Sequence, residues 1–344
     1  MSFRLGGRDG VSVEAAKWGC ALEQLGFNIR TVAGEGPVDH LIPGLAPGPD
    51  LTGVDPPPVD IQALKRALHD VDLVVVENLL SLPLNPAAAD AVAAQLRGRP
   101  AILRHHDLPW QRARFKDCPA PPDDPAWRHV TINEHSRREL AERGIPATTI
   151  ANAFDPHPPA GDRAATRNAL GITDHAKGED WLVVQPTRAI ARKNVPAGLA
   201  LAEAIGATYW LLGPAEEGYG PELARLLHQA TVPTRHAPIE RIEDAYAASD
   251  VVVFPSLAEG FGNPPIEASL HRRPVAVGPY RSGRELAALG FRWFDAADHE
   301  AVRSFLRSPD TGLLDHNEHI ARTHFSLEQL PARLSHLLHE GGWA

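Results

Sequence analysis

Short apolar and β-branched runs alternate with longer amphipathic stretches along the whole chain. Strands that alternate with helices are typical of βαβ units, which build parallel sheets. The runs Leu73–Val76 and Val251–Phe254 are apolar at every position, as in strands that helices cover on both faces. The pattern therefore predicts an α/β protein. Its strands are predicted at Ser2–Leu5, Asn28–Val32, Asp72–Glu77, Ala101–His105, His129–Asn133, Thr148–Ala151, Trp181–Gln185, Thr208–Leu212, Val251–Phe254, Pro274–Val277 and Arg292–Phe294.

A segment without periodicity divides this pattern near its middle. Phe154–Asp162 is rich in Pro, Gly and Asp, a composition typical of a linker. The 344 residues are enough for two domains at roughly 100–200 residues each. We expect an N-terminal domain over 1–155 and a second domain over 160–326, each with a doubly wound parallel sheet. Open α/β sheets bind ligands at the carboxyl ends of their strands, so two such sheets facing a central cleft would carry their chemistry on loops after strands.

Composition narrows the class of ligand. The chain has 34 Lys and Arg against 43 Asp and Glu, a formal net charge of −9, which gives no global reason to bind nucleic acid or an anionic membrane. No apolar stretch approaches the roughly 20 residues of a membrane-spanning helix, and the first residues do not resemble a signal peptide. Cys20 and Cys118 have no metal-binding or redox spacing. We expect a cytoplasmic protein of open oligomeric state that neither binds nucleic acid nor inserts stably into membranes.

Two cations follow the predicted strand Trp181–Gln185. Arg188 and Lys193 lie in a turn that opens into a helix, and the free N–H groups of a helix N-terminus favour anions. The pair is therefore a candidate clamp for a diphosphate. Taken alone, the segment is more simply explained as a solvated basic turn.

Two carboxylates frame a glycine-rich turn after the predicted strand Val251–Phe254. Glu259 precedes the turn, Glu267 lies about one turn into the next helix, and Gly-Phe-Gly-Asn-Pro-Pro-Ile separates them. Gly260 and Gly262 let the backbone approach a ligand closely, and prolines are tolerated in the first turn of a helix. An isolated pair of glutamates would need no ligand. The cation pair on the same face of the predicted sheet favours one elongated ligand that both carboxylates serve.

These segments together resemble retaining GT-B glycosyltransferases, in particular glycosyltransferase family 4. Glu259 and Glu267 match the Glu-x7-Glu signature of that family, and Arg188 and Lys193 match its Arg-x4-Lys element. The similarity covers nearly all of the second domain and only scattered points of the first. It implies the GT-B fold, with two Rossmann-like domains and a last helix, about 327–344, that packs back on the N-terminal domain.

The resemblance also implies how a nucleotide-sugar donor is held. Arg188 and Lys193 would neutralise the diphosphate as it leaves, Glu259 would bind the hexose 3- or 4-hydroxyl, and Glu267 would bind the ribose. The other donor-binding positions that it implies in this domain are Gly260, Phe261, Gly262 and Asn263 around the turn, and Ile239 beside the base. Because Arg and Lys neutralise the leaving charge, no metal or other cofactor is expected.

A glycine-rich loop follows the first predicted strand. Its segment Leu5–Ser12 does not have the Gly-x-Gly-x-x-Gly spacing of a dinucleotide fingerprint. In the family, a glycine pair at this place admits the donor phosphate and the acceptor. Both Gly6-Gly7 and Gly10 fit that role, so the register stays open, and Gly7 and Gly10 are taken as donor-binding candidates.

A histidine pair and a basic loop follow the predicted strand Ala101–His105. In the family, a His-Asp at this place contacts the donor sugar, which assigns that role to His106 rather than His105. Glu77 and Asn78 end another strand and are further candidates for contact with the acceptor. The hypothetical site for an acceptor that carries phosphate or carboxylate comprises Arg8, Lys17, Trp110, Arg112 and Arg114. A solvated basic loop explains these residues equally well.

The leading hypothesis is a retaining, metal-independent hexosyltransferase that uses a nucleoside diphosphate sugar and a small, anionic acceptor. A non-catalytic sugar-nucleotide-binding protein on the same fold would keep Glu267 but would not need Glu259 or His106. A glycoside hydrolase with Glu259 and Glu267 as its carboxylates would leave Arg188 and Lys193 without a purpose. A nicotinamide oxidoreductase is excluded because the glycines after the first predicted strand lack the Gly-x-Gly-x-x-Gly spacing. UDP-, GDP- and ADP-sugars are equally compatible with these residues.

Overall fold

The computed structural model describes residues 1–7, 9–49, 53–172 and 180–343 and divides into two compact units. Unit 1 comprises Met1–Ala153 and Leu327–Ala344, and unit 2 comprises Phe154–Ser326. Each unit has its own parallel sheet. Among the described residues, no α-helix combines the length and the apolar composition that crossing a bilayer demands.

Unit 1 is built on a seven-stranded sheet in which every described pairing is parallel. Up to residue 153 its elements are β1 (Ser2–Arg4), α1 (Gly10–Gln24), β2 (Val32–Glu35), β3 (His40–Leu41), α2 (Ile61–Ala67), β4 (Val74–Glu77), α3 (Pro86–Leu96), β5 (Ala101–His105), β6 (Trp127–Thr131), α4 (Glu134–Ala141) and β7 (Ala147–Thr149). The strand order is β3-β2-β1-β4-β5-β6-β7. It reverses between β1 and β4, and open α/β sheets bind ligands at such a switch point.

Unit 2 repeats this arrangement with a six-stranded parallel sheet. Its elements are α5 (Arg163–Ala169), β8 (Leu182–Gln185), α6 (Val195–Ile205), β9 (Thr208–Leu211), α7 (Gly220–Gln229), β10 (Thr234–His236), α8 (Ile242–Ala248), β11 (Val251–Phe254), α9 (Asn263–Leu270), β12 (Val275–Val277), α10 (Arg281–Ala288), β13 (Phe294–Asp295), α11 (His299–Arg307) and α12 (Thr311–Phe325). The order β10-β9-β8-β11-β12-β13 reverses between β8 and β11. The loops after these two strands therefore flank the switch point of unit 2.

Helices bury both faces of the central strands. In β5, Leu103 belongs to the apolar cluster beneath α2 and α3, while Ile102 belongs to the cluster on the opposite face. That second cluster includes Trp18 of α1 and Leu334 of the last helix, α13 (Leu330–Gly341), which is part of unit 1. Every β5 position is buried, which explains the uninterrupted apolar run at Ala101–Leu103. The prediction of two doubly wound parallel sheets is confirmed.

The second strand does not lie where the sequence pattern places it. The predicted strand Asn28–Val32 has an exposed Ile29, and the observed strand is Val32–Glu35. The backbone of Leu45 and Ala46 packs directly against Gly34 of this strand. A β-carbon on Gly34 would overlap the backbone nitrogen of Ala46, so only glycine fits there. The strand is therefore short of the β-branched residues by which strands are recognised.

Candidate functional site

The loops after β8 and β11 are fastened to each other at the switch point of unit 2. The backbone N–H of Leu257 donates to the carbonyl of Arg192 at 2.9 Å, and the Asn194 amide donates to the carbonyl of Pro255 at 3.2 Å. Asn194 has the left-handed φ of 53° that ends a short 3-10 turn and starts α6. This geometry brings the predicted basic turn against the predicted acidic turn.

Glu259 lies between two cations at this junction. Lys193 donates a hydrogen bond from Nζ to one carboxylate oxygen, and Arg192 binds the other at 3.0 Å. The side chains of Lys193 and Glu259 are nearly buried, whereas that of Arg192 is partly exposed. Burial lowers the pKa of Lys193, Glu259 acts to raise it, and the charges of Arg192 and Arg188 lower it further. Arg192 was not predicted as a site residue.

Arg188 is paired with a carboxylate from a different loop. Its guanidinium binds Glu216, which follows β9, at 2.5 Å, and both side chains are more than a third exposed. The backbone at Ala189 runs beside Ala215 as an isolated parallel bridge, which aligns the two loops. Arg188 is close enough to Lys193 to affect its pKa, so the two predicted cations share one end of the sheet.

Glu267 is held by a buried tyrosine. Tyr246 of α8 donates its hydroxyl to Oε2 of Glu267 on α9 at 2.5 Å, and its ring stacks on His271 at a centroid distance of 5.0 Å. Burial and then the Glu267 charge raise the pKa of Tyr246 well above its usual value, so its hydroxyl stays a donor. The contact between Tyr246 and Glu267 was not predicted.

The glycine-rich turn packs against the N-terminal end of α10. Gly262 has φ of +110° and immediately precedes α9, and a β-carbon there would lie 2.6 Å from the hydroxyl of Tyr280. Ser282 donates its hydroxyl to the carbonyls of Glu259 and Phe261, at 3.0 and 3.1 Å. The turn therefore has a fixed shape in which glycine at position 262 is required.

The remaining predicted donor positions of unit 2 lie around these elements. Phe261 is buried, and its ring lies 6.4 Å from that of Phe154. Asn263 is the first residue of α9, and Gly260 lies within the turn. Ile239 is half-buried against an apolar cluster that includes Trp210.

A buried charge cluster lies at the switch point of unit 1. Arg104 of β5 has no exposed side-chain surface and binds Glu14 of α1 at 3.2 Å and Glu77 of β4 at 3.4 Å. Its guanidinium lies 4.3 Å from the centre of the Trp18 ring, and Asn152 accepts a further hydrogen bond at 3.3 Å. Buried charges are stable only when they are paired and hydrogen-bonded in this way.

His106 is connected to this cluster. Its Nε2 lies 2.6 Å from Oε2 of Glu77, and its backbone N–H donates to the side chain of Asn78 at 2.8 Å. Burial acts to raise the pKa of Glu77, but Arg104 and the hydrogen bond from His106 outweigh it, and the pKa falls to about 2. The carboxylate is therefore ionised at neutral pH and accepts the proton of Nε2.

His105 faces a different set of partners. Its Nδ1 lies 2.5 Å from the hydroxyl of Ser81, and its Nε2 lies 2.9 Å from Nδ1 of His129. His129 in turn contacts Asp123 through Nε2 at 3.1 Å. Burial lowers the pKa of both histidines, which favours their neutral forms. The two neutral rings link the hydroxyl of Ser81 to the carboxylate of Asp123 through hydrogen bonds. The structure thus separates the two adjacent histidines into two hydrogen-bond networks.

The glycine-rich loop after β1 leads into α1. Gly6 has a left-handed φ of +77°, and Gly10 is the first residue of α1, with open space where a β-carbon would lie. A β-carbon on Gly7 would lie 3.1 Å from Oδ2 of Asp9, which caps the helix by accepting from the backbone of Ser12.

The predicted acceptor residues are engaged within unit 1. Trp110 donates its indole N–H to Glu139 at 2.9 Å, and the guanidinium of Arg143 stacks on its ring at 3.7 Å. Arg112 binds Asp107 at 2.8 Å and keeps more than a third of its side chain exposed.

Two further acceptor candidates also have partners. Lys17 binds Glu14 at 2.6 Å, and the guanidinium of Arg114 lies 4.3 Å from the ring centre of Phe115. Arg8 lies outside the described residues. No group of His, Cys, Asp and Glu with the arrangement of a metal site occurs in the described part of the chain.

Comparison with known proteins relates both units to glycosyltransferases. Residues 175–302 match the family model described as "Glycosyl transferases group 1". The chain is 26% identical to mannosylglucosylglycerate synthase of Thermotoga maritima, over 97% of this chain and 98% of that protein. It is 25% identical to mannosylglucosylglycerate synthase of Petrotoga mobilis, over 85% and 84% of the two chains.

Solved structures share the fold across nearly the whole chain. HepE of Anabaena in complex with UDP-glucose has a TM-score of 0.71 at 16% identity, with 98% of each chain covered. Sucrose-phosphate synthase of Thermosynechococcus elongatus has a TM-score of 0.74 at 15% identity, with 96% of this chain and 93% of that chain covered. The predicted GT-B architecture is thereby confirmed.

Proposed function

We propose, from the premise that this chain is a GT-B glycosyltransferase similar to glycosyltransferase family 4, that it transfers a hexose from a nucleoside diphosphate sugar with retention of configuration. The observation that carries this proposal is the contact of Lys193 and Arg192 with Glu259 at the switch point of unit 2. Two cations and a carboxylate at this point can serve the two charged parts of the reaction, the leaving diphosphate and the sugar.

Lys193 and Arg188 would stabilise the leaving diphosphate. Breaking the bond between sugar and phosphate builds negative charge on the diphosphate, and a preorganised donor aimed at that charge contributes roughly 3–4 kcal/mol. The carboxylate of Glu259 pairs with Lys193 in the structure. When the donor binds, Lys193 would turn to the phosphate while Arg192 keeps Glu259 in place, and Glu259 would bind a sugar hydroxyl. No metal would be required, because these side chains supply the positive charge.

Glu267 would bind the ribose hydroxyls. Its carboxylate is fixed by the hydroxyl of Tyr246, so it needs little reordering when the nucleotide arrives. The backbone N–H groups of Gly262 and Asn263, where the left-handed φ of Gly262 starts α9, would meet the phosphates. His106 would contact a hydroxyl of the transferred sugar.

The relatives suggest which substrates to test first. Their name, mannosylglucosylglycerate synthase, indicates a glycoside that carries a carboxylate, and HepE binds UDP-glucose. We propose glucose or mannose as the transferred hexose and a small acceptor with a carboxylate. Arg112 and Arg114, on the basic loop after β5, would receive the carboxylate of that acceptor.

The test is an activity screen of the purified protein. UDP-glucose, GDP-mannose and the ADP-sugars are each offered with glycerate and with glucosylglycerate, in the presence of EDTA, and the product anomer is assigned by NMR. Turnover with retention and without added metal supports the proposal. Nucleotide binding without transfer, or an inverted product, contradicts it. Glu267→Ala should abolish nucleotide binding, and Glu222→Ala, on the exposed face of α7, is the matched control.

A further inference from the structure

Two consecutive residues at the end of β4 hold His106. Glu77 accepts from its ring at 2.6 Å, and Asn78 accepts from its backbone at 2.8 Å. Asn78 has φ of 58°, a left-handed conformation that turns the chain directly after the strand. Both the side chain and the main chain of His106 are therefore fixed by the neighbouring strand.

The carboxylate that holds the ring is itself immobile. Oε1 of Glu77 is bound by Arg104 at 3.4 Å while Oε2 contacts His106, so both oxygens are engaged. Arg104 is fixed in turn by Glu14 and by the ring of Trp18. Glu77 is only 2% exposed, so water does not compete for its oxygens. Both oxygens of Glu77 are therefore held by neighbouring side chains of the same unit.

We propose that Glu77 is a positioning residue, which holds His106 through Nε2 and so presents Nδ1 to a hydroxyl of the sugar substrate. This rests on the proposed function, because that function gives His106 a sugar to bind. An ionised carboxylate accepts only, so Nε2 carries a proton and, in the neutral ring, Nδ1 is an acceptor. No described residue forms a hydrogen bond with Nδ1. A hydroxyl donor of the sugar would fit it.

Glu77→Gln tests the role of the carboxylate. A glutamine amide has nearly the same shape but both accepts and donates, so it no longer dictates which ring nitrogen is protonated. We expect kcat to fall about 10- to 100-fold, the range for loss of the partners that orient metal-binding histidines. In protein labelled with 15N-histidine, the ring signals of His106, identified by their loss in His106→Ala, should change from an Nε2-protonated pattern to a mixture.

Glu14→Gln is the matched control. It removes the other carboxylate that binds Arg104, from the same buried cluster, but does not touch His106. Both variants are expected to lower the melting temperature to a similar extent, because each leaves Arg104 with one carboxylate fewer. Only Glu77→Gln should change the ring signals of His106, and its kcat should be about 10- to 100-fold below that of the control.

A double-mutant cycle separates positioning from a general structural effect. Because Glu77 acts through His106, Glu77→Gln should lower kcat no further in a His106→Ala background. Unchanged ring signals in Glu77→Gln, or an equal loss of kcat with and without His106, would overturn the inference. If the wild-type protein transfers no sugar, the proposed function fails, while the ring signals still report whether Glu77 sets the protonated nitrogen.

Discussion

Lys193 donates a hydrogen bond to Glu259 although 66 positions of sequence separate them, and Arg192 binds the second oxygen of the same carboxylate at 3.0 Å. Both cations at this junction therefore share one carboxylate, which leaves one positive charge in excess. A diphosphate would therefore exchange one anion for another beside Lys193, rather than bring an anion to an unpaired cation. In the proposed reaction, this exchange would free Glu259 to bind a sugar hydroxyl.

Lys193→Ala should impair the chemical step more than donor binding. The ammonium is needed most when negative charge builds on the departing diphosphate, so we expect kcat to fall about 100- to 1000-fold. The donor KM should change by less than about fivefold. Steady-state kinetics with varied donor measure both. Arg225→Ala, which removes an exposed ion pair with Glu222, is the control, and equal effects of Lys193→Ala on both parameters would contradict the assignment.

Tyr246→Phe should weaken nucleotide binding without slowing the reaction at saturation. The substitution removes the hydroxyl that fixes Glu267 and leaves the ring on His271 in place. A hydrogen bond to a charged group contributes about 1.5–3 kcal/mol, so the Kd of the nucleoside diphosphate should rise about tenfold or more. Calorimetry with UDP and GDP measures it. Tyr219→Phe is the control, since no described residue forms a hydrogen bond with the Tyr219 hydroxyl. An unchanged Kd in Tyr246→Phe would show that the Tyr246 hydroxyl is not needed to position Glu267.

The sequence predicted Lys193 and Glu259 but not Arg192, and the reason is local geometry. Arg192 lies next to a residue of the Arg-x4-Lys element but is not part of it. A single sequence therefore gives no reason to assign it to the site. Its direction depends on the 3-10 turn Ala191–Lys193, which ends at the left-handed Asn194. Only with that backbone does the side chain of Arg192 reach the carbonyl of Ala258 and the carboxylate beside it.

The pairing of Glu77 with His106 depends on strand register, which the sequence does not specify. Both residues were candidates, each for a different ligand. In the structure Glu77 pairs with Arg104 across β4 and β5, which places His106 two positions further along, within reach of the carboxylate. Periodicity identifies strands and their order in a βαβ pattern, but a buried contact between side chains on neighbouring strands needs the register as well.

The stability of unit 1 should fall as the pH is lowered below about 6.5. Burial lowers the pKa of His105 and His129 in the folded unit. In this pH range the unfolded chain therefore binds more protons than the folded unit, and stability falls as the pH is lowered. Each histidine then costs up to about 1.4 kcal/mol of unfolding free energy per pH unit. Urea unfolding at pH 5 to 7, followed through the NMR amide signals of β5 and β6, measures the slope. Glutamine does not titrate, so the unfolding free energy of His105→Gln should depend less steeply on pH. An unchanged pH dependence would show that His105 does not contribute to it.

Gly262→Ala should disrupt the turn before α9. A β-carbon at this position would lie 2.6 Å from the Tyr280 hydroxyl, and φ of +110° is strained for any residue other than glycine. We expect a loss of about 1–3 kcal/mol in unfolding free energy and a loss of nucleotide binding, because the first turn of α9 is displaced. Thermal unfolding and calorimetry check both. Gly220→Ala has open space around the added carbon and should change neither, so an equal effect of the two variants would mean that the shape of this turn does not control binding.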